Sequence, residues 1–245
     1  MKIILMPFLA ILMMMNTLNA ATCYYLNGNN TTSGDALYGP RSCNQGMIDQ
    51  FWEHFDFDKG DWDNGFGYHD ACNINKPLAR TFNALYLLAY SAQDYARNTG
   101  DFSGNALRWG YPYSASKIDE LDGRCGNGTT SGVAATTYSG FQDNRTVLKW
   151  PFFYGSNVVE RAGIIVHEAR HAGGKGHNAG SRCPRGASCD TTWGYKGANM
   201  YQTLYLWWFY VDGTRTTSAM KNFSKLQAQR TIDRAFVTNP GYTIY

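Results

Sequence analysis

Apolar positions recur at helical spacing in four stretches of the chain. Leu78, Phe82, Leu85, Ala89, Ala92 and Ala96 stand three or four residues apart. Asn75-Lys76-Pro77 opens this run with proline in the first turn, and Asn98-Thr99-Gly100 stops it. The spacing predicts an amphipathic helix whose stripe is core. A second helix is expected through Val158, Val159, Ala162, Ile165, Val166 and Ala169, with Asn157 as its cap, Glu160 three residues on, and Gly173-Gly174 at its end. An aromatic helix is predicted near 201–211. A last amphipathic one is expected over 217–236, with Met220, Phe223, Leu226 and Ile232 inward. Residues 132–138 and 146–150 read as strands, the latter ended by Pro151. Residues 21–75, rich in Gly, Asn, Asp and aromatics, keep no period and read as loop tied by disulfides, while 101–144 hold seven glycines and few long apolar runs. The order implies an α+β chain without internal repeats, linkers or low-complexity segments.

The first twenty residues stand outside that pattern. Lys2 gives a minimal basic end, residues 3–12 are apolar except for Pro7, and Asn19-Ala20-Ala21 supplies small residues for cleavage. Residues 1–20 are expected to be a secretory signal peptide, leaving 21–245 as a single domain. The product is then secreted and extracellular, or periplasmic in a Gram-negative host, with no stable membrane insertion. Thr22 before Cys23 does not suit a lipid anchor. Six cysteines lie beyond the signal, and an even number in an oxidising compartment favours three disulfides with fifteen possible connectivities. Only the local pair Cys183 and Cys189, with Pro184 and Gly186 turning the chain between them, stands out. Without Lys2 the chain carries 21 basic and 19 acidic residues, too even a balance for a nucleic-acid or acidic-membrane partner. Composition does not set the oligomeric state.

The candidate chemistry is concentrated in eleven residues. Three of the five histidines fall within His167-Glu168-Ala169-Arg170-His171-Ala172-Gly173-Gly174-Lys175-Gly176-His177. On a helix His167 and His171 are i and i+4 and share a face, about 6 Å apart at Cβ. Glu168 sits at the edge of that face, within reach of a metal-bound water without being a ligand. A left-handed Gly174 would stop the helix and swing His177 back towards the pair. Three neutral nitrogens and one water make a tetrahedral catalytic Zn2+ site with an open position.

The run H-E-x-x-H-x-x-G-x-x-H resembles the signature of the metzincin zinc endopeptidases at every fixed position. The resemblance implies zinc ligation by His167, His171 and His177, with Glu168 as general base. It also implies a methionine turn, which Gly197-Ala198-Asn199-Met200 resembles; Met220 lies at helical spacing with Phe223 and reads as core. The implied fold is a two-lobed α+β protease, with lobes over about 21–177 and 178–245, a C-terminal helical lobe and a protein or peptide substrate. Residues 146–150 are a candidate for pairing with an extended peptide. The alternative is a secreted zinc-containing module that binds protein or glycan and has lost or redirected hydrolysis. The family within the clan stays open: Gln202 stands where astacin-like members carry a tyrosine, and Cys43 and Cys125 only faintly echo a cysteine switch.

Weaker signals remain. Asp56, Asp58, Asp61 and Asp63 crowd one glycine-bearing loop, and Ca2+ suits such oxygen ligands, although the spacing is not that of an EF-hand and a solvated turn is the blander reading. His54 and His69 flank it without an assigned role. The aromatic run from Tyr201 to Tyr210 reads as helix packing, or as a pocket wall or carbohydrate-stacking surface. Sequons stand at Asn29, Asn30, Asn127, Asn144 and Asn222.

Overall fold

The computed structural model describes residues 33–63, 65–92, 100, 102, 104–124, 133–140, 144–183 and 188–245. The expected signal peptide, Cys23, Cys125 and the sequons at Asn29, Asn30 and Asn127 lie outside them. The architecture is mixed α and β, mostly helical, with one small sheet. In chain order the elements are α1 (Ser33–Ser42), α2 (Gln45–Phe55), α3 (Lys59–Trp62), α4 (Pro77–Tyr90), α5 (Ala106–Lys117), β1 (Glu120–Gly123), β2 (Ala135–Ser139), β3 (Asn144–Leu148), α6 (Val158–Ala172), α7 (Ala198–Asp212) and α8 (Ser218–Arg234).

Helix α6 is the axis of the fold. It packs against α4, α5 and α7, and against β2. Its start is set as the sequence suggests: the Asn157 side chain accepts hydrogen bonds from the backbone N–H groups of Val159 and Glu160, both at 3.0 Å. Val159, Ala162, Ile165, Val166 and Ala169 are all fully buried. Helix α4 starts at the expected proline, and Leu78, Phe82, Leu85 and Ala89 are core, but it ends at Tyr90 with Ser91 as its C-cap. Beside it a polar knot is shut away from water: the Arg161 Nη2 donates to Asp35 Oδ2 at 2.5 Å, and Asn83 Nδ2 donates to Asp35 Oδ1 at 3.1 Å. A buried charge needs such company.

The sheet order is β1-β3-β2, with β1 parallel and β2 antiparallel to β3. Strand β3 is therefore central, and both its edges are taken. The expectation that residues 146–150 would pair with a peptide is corrected on this ground. Among the described residues β2 pairs only with β3, so β2 is the edge next to α6.

The N-terminal segment departs from the expected loop. Met47, Ile48, Phe51, Trp52 and Phe55 form the inward face of α2, and Asn44 caps it by accepting from Gly46 N at 3.0 Å. Interspersed Gly, Gln and Asp hid this period. Helix α5 was also unexpected, since it carries Gly110 and Pro112 in its interior. Gly110 is needed there: a Cβ would stand 3.1 Å from Leu88 and 3.4 Å from Tyr205, so the small residue lets α5 approach its neighbours. Helix α8 buries Met220, Ser224, Ala228 and Ile232, whereas Leu226 is 68% exposed. Its seam runs at strict four-residue steps with the small Ser224 and Ala228 at the middle, and Ser224 Oγ donates to Leu206 O at 2.6 Å, which brings α8 close to α7. Among the described residues two disulfides are formed, Cys183–Cys189 as expected and Cys43–Cys72, which spacing alone did not single out. No helix among the described residues is long and apolar enough to cross a membrane.

Candidate metal centre

The two helical histidines and the third beyond the helix converge. Gly173 caps α6, and Gly174 has φ +85°, the left-handed conformation expected of it. The chain turns back there, and the three imidazole rings stand with centroids 4.7 to 5.2 Å apart. They open into a cleft of about 700 Å3 that is also lined by Thr137, Glu168 and Gln202.

Each ring is oriented by an oxygen on its other nitrogen. His167 Nδ1 lies 3.0 Å from Gln202 Oε1, His171 Nδ1 lies 2.7 Å from the Lys175 carbonyl, and His177 Nδ1 lies 3.0 Å from Asp190 Oδ1. All three partners are acceptors once the Gln202 oxygen faces the ring, so each Nδ1 carries the hydrogen and each Nε2 presents a lone pair. The Nε2 atoms of His167 and His171 are 3.1 Å apart. Two lone pairs at that distance repel unless a cation lies between them. The donor set therefore fits a metal ion, held by His167, His171 and His177, whose nearest ring nitrogens lie within 4.8 Å of one another. Burial holds the His167 imidazolium well below its ordinary value, helped by His171 and His177, and burial also lowers His171. Neutral rings are what a metal requires.

Glu168 is 5% exposed and lines the same cleft. Burial pushes its carboxyl up to about 7, against a hydrogen bond from Thr137 that pulls it down. Thr137 Oγ1 donates to Glu168 Oε2 at 2.8 Å, while Oε1 has no hydrogen-bond partner among the described residues. The site thus places a buried carboxyl beside three nitrogens that could hold a metal ion.

Met200 is buried in the first turn of α7 rather than in a turn ahead of it, because the helix already starts at Ala198 behind Gly197. Two residues on, Gln202 takes up the His167 ring. Sequence reasoning noted Gln202 only as a departure from a tyrosine, and it missed Thr137, Asp190 and the Lys175 carbonyl. These lie 4 to 35 positions from the groups they serve, and no local motif marks them.

The four aspartates of the acidic loop do not converge on one calcium site, in keeping with the blander reading of a solvated turn. Asp58 caps α3 through Gly60 N, Asp56 takes a left-handed conformation at the end of α2, and Asp63 lies 3.6 Å from His69. Only Asp61 joins a carboxylate group, with Glu120 and Asp122. The buried Asp122 is already ion-paired with Arg145, and Arg124 lies 3.7 Å away, so arginine supplies positive charge beside this group. His54 Nδ1 is 2.8 Å from the Tyr111 hydroxyl. In the aromatic run Tyr201, Tyr205, Leu206 and Phe209 are core, and Leu204, Trp207, Trp208 and Val211 line a separate apolar groove of about 370 Å3.

Set against protein-family models, curated proteins and solved structures, the chain matches none.

Proposed function

We propose that the protein is a secreted zinc-dependent endopeptidase of the metzincin type. The observation that carries this reading is Glu168, a buried carboxylate facing an open cleft beside three imidazoles whose free nitrogens converge. Tetrahedral ligation with zinc–nitrogen bonds near 2.0–2.1 Å puts ligand atoms roughly 3.3 Å apart, close to the 3.1 Å between His167 and His171. When bound, zinc supplies an acidified water and a Lewis acid for a carbonyl oxygen.

The chain's own groups do the rest. His167, His171 and His177 hold the metal with one side open to the cleft. Glu168 Oε1 takes a proton from the attacking water and returns it to the leaving amine, so the peptide bond is replaced by a carboxylate and a free amine without a covalent intermediate. Thr137 keeps Oε2 in place during both transfers. Residues 133–137 lie along the cleft at the edge strand β2 and suit an extended peptide added to the sheet. A module that merely binds through a zinc-organised surface has no need for a proton acceptor at Glu168.

The test is zinc content together with cleavage of a mixed-peptide library by protein starting at Ala21, beside Glu168→Ala and a chelated sample. One zinc per chain is expected, with cleavage abolished by chelation and by Glu168→Ala while the variant keeps its zinc. Zinc bound with no peptide cut by any sample overturns the hydrolytic reading and favours the binding module.

A further inference from the structure

The three candidate ligands are not held alike. His167 and His171 stand on one turn of a buried helix, so the backbone of α6 already fixes their spacing. His177 follows a left-handed glycine on a segment without regular structure. It is placed instead by a splint formed by residues 189–191. Ala179 N donates to Cys189 O at 3.4 Å, Thr191 N donates to Asn178 Oδ1 at 2.8 Å, and Asp190 takes the His177 ring.

Asp190 is fully buried and held from three directions. Its backbone N–H donates to Ala235 O at 3.0 Å, and its carbonyl accepts from Val237 N at 2.9 Å. Its Oδ2 accepts from Asn199 N in the first turn of α7 at 3.3 Å. The amino end of a helix favours a negative charge, so α7 holds this carboxylate where it also faces His177. Gly197 leaves room for it: a Cβ there would lie 2.5 Å from Oδ2. The neighbouring Cys183–Cys189 bond closes the loop just before it.

We propose that Asp190 is the positioning residue for the third ligand, and that its contact with His177 sets how tightly the centre keeps its metal. The inference rests on the metal reading above but not on hydrolysis. Gln202 serves His167 through a neutral amide, on a histidine the helix already places. Asp190 serves His177 with a carboxylate 3.0 Å from Nδ1, closer than the Asn199 Nδ2 at 3.4 Å. The loss on removing Asp190 is therefore the larger.

The experiment measures zinc affinity by competition with a chromophoric chelator, and the visible spectrum after cobalt(II) substitution, for the unaltered protein and for Asp190→Asn, Gly197→Ala and Gln202→Ala. Outer contacts of metal-bound histidines are worth about 10- to 100-fold in affinity. Asp190→Asn is expected near the upper figure with an altered cobalt band, and Gln202→Ala near the lower. Gly197→Ala keeps the carboxylate but displaces it, and should resemble Asp190→Asn. An Asp190→Asn protein that folds, binds zinc no more weakly than Gln202→Ala and keeps the cobalt band overturns the proposal. If the unaltered protein binds no zinc, the metal reading falls with it.

Discussion

Thr137 on β2 and Glu168 on α6 are joined by a 2.8 Å hydrogen bond in which the threonine hydroxyl donates to Oε2. That hydroxyl lies 2.8 Å from Thr146 Oγ1 on the central strand, and the two threonines are register partners. With its own hydrogen on Glu168, Thr137 accepts from Thr146. The candidate base is therefore oriented from the sheet rather than from its own helix.

Removing that hydroxyl is predicted to slow turnover with little effect on substrate affinity. A hydrogen bond to a charged group is worth about 1.5–3 kcal/mol, or roughly 10- to 100-fold in rate. Thr137→Val should lower kcat by about that factor and leave zinc content unchanged, and Thr137→Ser should restore most of it. Steady-state kinetics on a peptide found in the library screen decides it; equal kcat in the valine and serine variants would sink the idea.

Acid sensitivity is predicted at Asp35. Burial pushes its carboxyl up, but the Arg161 charge and hydrogen bonds from Arg161 and Asn83 outweigh this, and the net position is below the ordinary carboxylate value. A depressed folded pKa stabilises above the unfolded value, and that stability drains away as pH falls through the folded one. Breaking a buried pair costs about 3–5 kcal/mol. Asp35→Asn should lose about that much in urea unfolding at pH 7, and the gap to the unaltered protein should narrow by pH 3. A constant gap would contradict the assignment.

Gly174 supplies a cleaner backbone test. A Cβ there meets nothing within 4 Å, yet the residue sits at φ +85°. Gly174→Ala should therefore cost about 1–2 kcal/mol through conformation alone. Weaker zinc binding should accompany the loss, since the turn delivers His177. Unchanged thermal midpoint and unchanged zinc affinity together would show that the turn tolerates a side chain.

The two disulfides among the described residues should differ in worth. In the chain-entropy picture the 29-residue separation of Cys43–Cys72 stabilises by about 3.6 kcal/mol and the six-residue separation of Cys183–Cys189 by about 2.2 kcal/mol. Serine pairs at each site, compared by denaturant midpoints, should show the larger loss at Cys43 and Cys72. The reverse order would mean that the short loop is stabilised by something beyond closure.

What was legible in the sequence shared a local cause. Asn157, the buried stripe of α6, Gly174 and the three histidines all sit within 21 residues, where cap, period and turn chemistry act on neighbours. Phe51 and Phe55 were equally periodic but hidden among glycines and amides. Leu226 is large and apolar yet exposed, because the small Ser224 and Ala228 are the residues that let α8 approach α7. The contacts of Thr137, Asp190 and Gln202 arise only when distant elements meet, and nothing adjacent to them in the chain records the meeting.

The double backbone attachment of Asp190 to Ala235 and Val237 also orders events in time. A chain synthesised from its amino end carries His167 and His171 well before residues 235–237 emerge to hold Asp190. The hold on the third candidate ligand is the last to become available. A partly emerged chain therefore lacks the hold on His177 that Ala235 and Val237 provide through Asp190.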